Sequence, residues 1–402
     1  MNRTIKSNGI KLMKKLHFVL FALWLVGGLF VAEGAAQPNV QINPNNVQIN
    51  PNILQRELNT RFISKFVGKL DARLNGKSVG YTFFVTYKKG IAQGGAGGDA
   101  RRSPDANPRK MTVDDKYNIA SVSKTITASA VLKILNDKNI SVDTAVHTYL
   151  PSDWTFGDNF KTITFRELLT HRSGVRCARE VTYVELKQCA AGGVIATDKA
   201  TQQYNNSNFG LFRIIIARMA YPGIRLPGKI MDDAGYSALY SGQYLNYVRT
   251  NLFAPAGLTG IDAKPVTSDP ALSYQFPTPV RAGDSFGDTT EMSGSQGWNM
   301  SSKELALFLD TLVTSEKILP VAVLKQMKDD QLGWFRDSTT INGITSYEHT
   351  GHYPGMWNGG ELNTGMFTFS NGLNVAVIIN SQFGPGLSLP SEVKAALQET
   401  IK

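Results

Sequence analysis

Strand-forming stretches stand near both ends of this 402-residue chain, and a long, mainly helical stretch separates them. Residues 79–87 are rich in β-branched and aromatic side chains, Lys88-Lys89-Gly90 is a turn, and Ile91 restarts a short strand. Near the other end, residues 359–369 and 373–381 flank Asn371-Gly372, a strong two-residue hairpin signal. A helical pattern over 53–74 precedes the first hairpin, with Leu58, Phe62, Phe66 and Leu70 on one stripe, and residues 390–401 form a closing helix. The order helix, hairpin, helices, hairpin, helix predicts an α+β fold. Its central antiparallel sheet is built from both chain ends and flanked by helices, with a mainly helical domain inserted at about 137–290.

Within the insertion, 143–150 reads as helical up to Pro151, and Thr164-Phe165-Arg166-Glu167 has the form of a capping box. His171 follows and reads as a structural hydrogen-bonding residue. Residues 261–290 are rich in Pro, Gly, Asp and Ser and read as loop. Gly94-Gly95-Ala96-Gly97-Gly98 lacks the Gly-Lys-Ser/Thr ending of a phosphate loop and reads as a sheet edge or turn.

Lys11, Lys14 and Lys15 precede an apolar run over 16–32 with small residues behind it, the pattern of an export signal over 1–36. An uncleaved membrane anchor is the alternative for the same run. Residues 37–52 carry the unit Asn-Val-Gln-Ile-Asn-Pro-Asn twice and read as a flexible linker, leaving 53–402 as the folded domain. These features place the protein in the periplasm or outside the cell. The net charge of +10 is spread without a basic block past Lys15, so no nucleic-acid partner is expected, and the membrane enters only through the leader. In an exported chain the only two cysteines, Cys177 and Cys189, most simply form a local disulfide.

The chemistry-bearing stretch is Ile119-Ala120-Ser121-Val122-Ser123-Lys124, which opens an apolar helical run. A serine hydroxyl needs a neighbouring base to become a nucleophile, and one helical turn puts Lys124 on the same face as Ser121. Lysine is such a base only when its proton affinity is lowered. The spacing alone is weak: Ser121 could be an ordinary helix cap, and Ser391-Glu392-Val393-Lys394 repeats the pattern in what reads as surface decoration. Tyr204-Asn205-Asn206 opens another apolar helix. There Tyr204 is a candidate acid/base and Asn206 could hold both a lysine and a substrate amide, or simply cap the helix.

Four stretches in this order resemble the class C β-lactamase-like serine hydrolases, which include penicillin-binding DD-peptidases, D-aminopeptidases and esterases. They are Ile119 to Lys124, Ile163 to Gly174, Tyr204-Asn205-Asn206 and His349-Thr350-Gly351, and the resemblance spans about 55–400. It implies Ser121 as the acylated nucleophile, Lys124 and Tyr204 as proton carriers, and Asn206 as the group orienting lysine and substrate. It also implies His349, Thr350 and Gly351 on a strand facing the serine, and an oxyanion hole from the backbone N–H groups of Ser121 and His352. No metal or cofactor is implied. His349 stands where the family's β-lactamases carry lysine, which favours peptidase or esterase activity over β-lactam hydrolysis; the middle motif is Tyr-Asn-Asn where Tyr-Ser-Asn is common. Asn205 is given no chemical role.

The expectation is thus an exported serine hydrolase that cleaves an amide or ester bond through an acyl-enzyme. Its substrate is a small molecule or peptide: a D-amino-acid peptide such as one from peptidoglycan, a small ester, or a β-lactam. The alternative is a non-catalytic module binding peptidoglycan or another ligand on the same fold. A Ser-His-Asp hydrolase has only His349 to offer and no Gly-x-Ser-x-Gly elbow, and His349-x-x-His352 lacks a third metal ligand.

Overall fold

The computed structural model describes residues 51–88, 90–175, 177, 182–224, 231–277 and 281–402. The export signal and all but the last two residues of the expected linker lie outside these. Residues 51 and 52 already belong to the first helix, α1 (Pro51–Leu74). The unit that runs from Gln55 to Lys402 carries everything that follows.

Two strands come next, β1 (Gly80–Tyr87) and β2 (Ile91–Arg101), then the short β3 (Arg109–Lys110) and β4 (Tyr117–Asn118). Helices α2 (Ser123–Asp137), α3 (Phe165–Leu169), α4 (Tyr183–Gly192), α5 (Ser207–Ala220) and α6 (Asp233–Val248) follow. The chain closes with β5 (Asn299–Met300), α7 (Ser302–Thr314), α8 (Val321–Asp329), β6 (Phe335–Arg336), β7 (Ser346–Tyr353), β8 (Leu362–Phe369), β9 (Leu373–Ile379) and α9 (Leu389–Ile401). The main sheet runs β3-β2-β1-β9-β8-β7-β6 and is antiparallel throughout, so the first hairpin pairs with the last.

Alternation along the central strands sends side chains to both faces. Phe83, Val85, Val375 and Val377 pack with Phe66 and Leu70 of α1 and with Val393 and Leu397 of α9. Ala376 and Ile378 point the other way, into the larger core that holds Leu305, Phe308, Leu309 and α2. Leu58 of the expected α1 stripe is exposed, because burial on this helix begins only at Ile63.

The strand from Ile91 is longer than expected and runs straight through the glycine cluster. Gly95 pairs with Phe83 and Gly97 with Tyr81. A Cβ at either glycine would lie 2.4 and 2.6 Å from the ring of its partner, so the bare backbone is what lets those rings lie across the strand. The 143–150 stretch is not a helix beyond a short turn at His147–Tyr149. Its Val146 N–H donates instead to Ile163 O at 2.8 Å, satisfying the backbone by pairing with the start of α3. The capping box is present: Glu167 N–H donates to Thr164 Oγ1 at 3.2 Å, and Thr164 N–H to Glu167 Oε2 at 2.9 Å. Cys177 and Cys189 form a disulfide with Cα atoms 5.4 Å apart.

Candidate active site

Ser121 sits in a tight turn, Ala120–Val122, between β4 and α2. Three contacts fix that turn. Ile119 N–H donates to Trp298 O at 2.8 Å, Thr364 Oγ1 donates to Ile119 O at 2.8 Å, and Asn118 Oδ1 accepts Ala120 N–H at 2.7 Å. The last holds Ala120 at φ +48°, a left-handed conformation that costs a non-glycine residue about 1–3 kcal/mol. Ser121 is not a helix cap: the N-cap positions are Ile119 and Val122, and neither makes a side-chain cap bond.

Lys124 lies one turn on and is fully buried. Its Nζ is 3.0 Å from Ser121 Oγ, 2.7 Å from Asn206 Oδ1 and 3.0 Å from Ser295 O. Three uncharged oxygens thus surround the three positions of one amino group. Asn206 precedes α5 but spends its side chain on the lysine rather than on the helix. Asn205 does the capping: its Oδ1 accepts Ser207 N–H at 2.8 Å and the Ser207 hydroxyl at 2.5 Å. The Ser295 carbonyl was not anticipated. Its turn approaches α5 so closely that a Cβ on Gly294 would lie 2.6 Å from Phe209 O.

The Tyr204 ring faces the same amino group, with Lys124 Nζ 4.9 Å from its centroid, and is half exposed. Beneath it lies the buried His171 ring, centroid to centroid 4.4 Å. His171 Nδ1 accepts Asn205 N–H at 3.3 Å and lies 3.1 Å from Asn208 Nδ2, which matches the structural role expected of it.

β7 forms the opposite wall. A Cβ at Gly351 would sit 2.8 Å from both Ala120 Cβ and Ile119 O, so glycine here lets the strand lie against the serine turn. His349 is buried, while Thr350 and His352 are exposed. His352 Nε2 lies 3.3 Å from Glu361 Oε2. Residues 349 and 352 fall on opposite faces of the strand and cannot share a metal ion. β6 pairs only with Tyr347 and Glu348, which leaves the 349–353 edge open among the described strands.

A family model described as Beta-lactamase matches residues 69–396. The chain belongs to that family. Solved structures of the same fold include the D-amino acid amidase of Ochrobactrum anthropi SV3, determined with L-phenylalanine amide. It is 19% identical, with a TM-score of 0.64 over 85% of this chain and 98% of that one. The octameric penicillin-binding protein homologue of Pyrococcus abyssi is 17% identical, TM-score 0.61, over 85% and 77%. A D-stereospecific amidohydrolase from Streptomyces sp. is 19% identical, TM-score 0.59, over 83% and 97%. This member of the Beta-lactamase family is a serine hydrolase.

In this family member the site's positive charge is concentrated on one group. Burial first, and then the charge on Lys124, lowers the pKa of His349 to about 3, so it is neutral at physiological pH. Its Nδ1 lies 2.8 Å from Thr350 O. A carbonyl can only accept, so Nδ1 carries the hydrogen and Nε2 is left as an acceptor. Burial, then Lys124 and His349, hold His171 well below the usual histidine range as well. Burial and the neighbouring Tyr204 push the Tyr353 hydroxyl up.

Proposed function

We propose that this protein is an exported serine hydrolase that cleaves an amide bond next to a D-amino acid, passing through an acyl-enzyme on Ser121. The observation that carries the reading is the buried Lys124 amino group 3.0 Å from Ser121 Oγ. In the form of the enzyme in which Lys124 has given up its proton, Ser121 Oγ attacks the substrate carbonyl and its own proton passes to Lys124. The resulting oxyanion is taken by the backbone N–H groups of Ser121 and His352, a pair in which each donor is worth about 2.7–4 kcal/mol of barrier. Lys124 and Tyr204 deliver a proton to the departing amine. Water then attacks the ester carbonyl, giving up its proton along the same route, and the acid leaves Ser121. Asn206 keeps Lys124 aimed at the serine and offers its amide to the substrate. His349, Thr350 and Gly351 line the strand beside which the acyl group lies.

Two features support the substrate class. The neighbours of like fold include enzymes named for D-amino acid amides and D-stereospecific amide hydrolysis. His349, buried and neutral, brings no cation to attract the carboxylate of a β-lactam. D-Amino-acid peptides are a feature of bacterial cell walls, and the leader over 1–36 would deliver the enzyme to that compartment.

The test is intact-mass spectrometry after exposure to a fluorophosphonate and, separately, to a penicillin, followed by a panel of D- and L-amino-acid amides. We expect a phosphonate adduct on Ser121 that is absent from Ser121→Ala, and turnover of D-amides above their L-partners. A folded protein that forms no adduct and hydrolyses no member of the panel would sink the proposal.

A further inference from the structure

Lys124 and Thr127 stand three residues apart on α2 and share one face of the helix. That face meets two adjacent carbonyls of a single turn. Lys124 Nζ lies 3.0 Å from Ser295 O, and Thr127 Oγ1 donates to Gly294 O at 2.7 Å. Thr127 is fully buried, and its hydroxyl has one hydrogen to give. The same oxygen lies 2.6 Å from the Tyr244 hydroxyl and 3.2 Å from Ser123 O. A carbonyl can only accept, so the Thr127 hydrogen fills the short gap to Gly294 O, and Tyr244 donates to Thr127 in turn. Burial pushes the Tyr244 hydroxyl up to about 12, so it has that hydrogen to give. Trp298 Nε1–H donates to the Tyr244 oxygen at 3.4 Å. A relay of buried donors thus runs from Trp298 through Tyr244 and Thr127 and ends on the peptide that precedes Ser295.

The turn needs such an anchor. A Cβ at Gly294 would lie 2.6 Å from Phe209 O and one at Gly297 would lie 2.5 Å from Thr289 O, so close packing demands glycine on both sides of Ser295. Glycine is also the residue whose backbone torsions are least restricted. Hydroxyls supply the missing restraint: Thr127 holds Gly294 O, and Tyr353 donates to Gln296 O at 3.2 Å. The carbonyl between them, Ser295 O, faces the lysine. Its direction matters for the chemistry. A neutral lysine has two N–H groups and one lone pair. Ser295 O and Asn206 Oδ1 can only accept, so they take the two hydrogens and leave the lone pair to Ser121 Oγ, the one oxygen of the three that carries a hydrogen.

We propose that Thr127 is a positioning residue: its hydroxyl, backed by Tyr244, holds the Gly294–Ser295 peptide so that Ser295 O takes one hydrogen of Lys124 and the lysine's lone pair faces Ser121. The inference rests on the reading of Ser121 and Lys124 as nucleophile and base.

The experiment compares Thr127→Val, which removes the hydroxyl and nearly keeps the shape, with Thr127→Ser, which keeps the hydroxyl. The second-order rate constant for fluorophosphonate labelling of Ser121 should fall about tenfold in Thr127→Val and stay within about twofold of wild type in Thr127→Ser. Tyr244→Phe should lower it by about threefold. Thr86→Val controls for lost stability, because it removes a buried hydroxyl bonded to Asp310 and Asn374, and it should label like wild type. Equal rates in Thr127→Val and Thr127→Ser, or an equal loss in Thr86→Val, overturn the inference. A crystal structure of Thr127→Val decides without reference to labelling: Ser295 O should have turned away from Lys124, and a carbonyl still at 3.0 Å overturns the role. If the wild type takes up no phosphonate, it is the hydrolase reading that has failed, and the crystal structure alone then decides whether Thr127 holds the turn.

Discussion

Two lysines in this chain stand three residues after a serine, Lys124 at the start of α2 and Lys394 in the second turn of α9, and their surroundings differ in kind. Lys124 is fully buried and bonded to three uncharged oxygens, one of them Ser121 Oγ. Lys394, on α9, retains 18% side-chain exposure and meets two carboxylates, Asp337 and Glu348, the latter at 2.8 Å. Burial works to lower the pKa of Lys394, but the bonds from Asp337 and Glu348 outweigh it and the net shift is upward. A lysine so paired keeps its proton and cannot serve as a base. The spacing sets only whether serine and lysine can meet, and the neighbours decide what the lysine can do. Ser391-x-x-Lys394 is therefore not the surface decoration it resembles in sequence. It is a tie between α9 and β7, one residue before His349.

Matched alanine substitutions in the two pairs should break the comparison most sharply. Ser121→Ala should lower kcat/KM by at least about 10⁴-fold, as loss of a nucleophile does, and Ser391→Ala should leave it where it was. Comparable losses in both would refute the assignment. Lys124→Ala should cost about 10²–10⁴-fold in kcat. Lys394→Ala strands a half-buried Glu348, whose pKa burial already raises, and should cost about 1–2 kcal/mol of stability with most of the activity retained. Urea melts and rate assays on the same four preparations would check both halves.

Acid should sharpen the contrast. His349 and His171 both have folded-state pKa values below their ordinary 6.5, so the unfolded chain binds more protons as pH falls. Their contribution to stability is complete above pH 6.5. It is lost as pH drops, for His349 down to about 3, at no more than about 1.4 kcal/mol per pH unit for each ring. His349→Gln should flatten part of that slope. Stability curves for wild type and variant that run parallel between pH 6.5 and 3 would show that His349 is not protonated on unfolding.

What was legible in the sequence was local. Ser121 and Lys124 are linked by a helical turn, the Thr164 to Glu167 cap by three residues, and the β8–β9 hairpin by Asn371-Gly372, whose glycine adopts φ +90°. The pairing of the two chain ends followed from the order of elements. What escaped was carried by backbone atoms and by distant partners. The Ser295 carbonyl on Lys124 has no residue signature, because every residue offers a carbonyl. The clamp on Ala120 needs Asn118, Trp298 and Thr364 from three separate elements. The glycine run in β2 read as a sheet edge or turn; it is strand, and the Tyr81 and Phe83 rings that require its bare backbone lie across a hairpin and not along the chain.

The smallest expected effect separates two neighbouring asparagines. Asn205 and Asn206 both stand at the start of α5, where either could be a cap, and the structure gives them different work. Asn205 accepts two bonds from Ser207, so Asn205→Ala should cost about 1 kcal/mol of stability, the usual loss for a cap, with kcat reduced far less than in its neighbour. Asn206 bonds Lys124 at 2.7 Å and caps nothing, so Asn206→Ala should lower kcat by about 10- to 100-fold. A destabilised Asn206→Ala that keeps its kcat would mean that its amide merely supports the helix and does not orient Lys124.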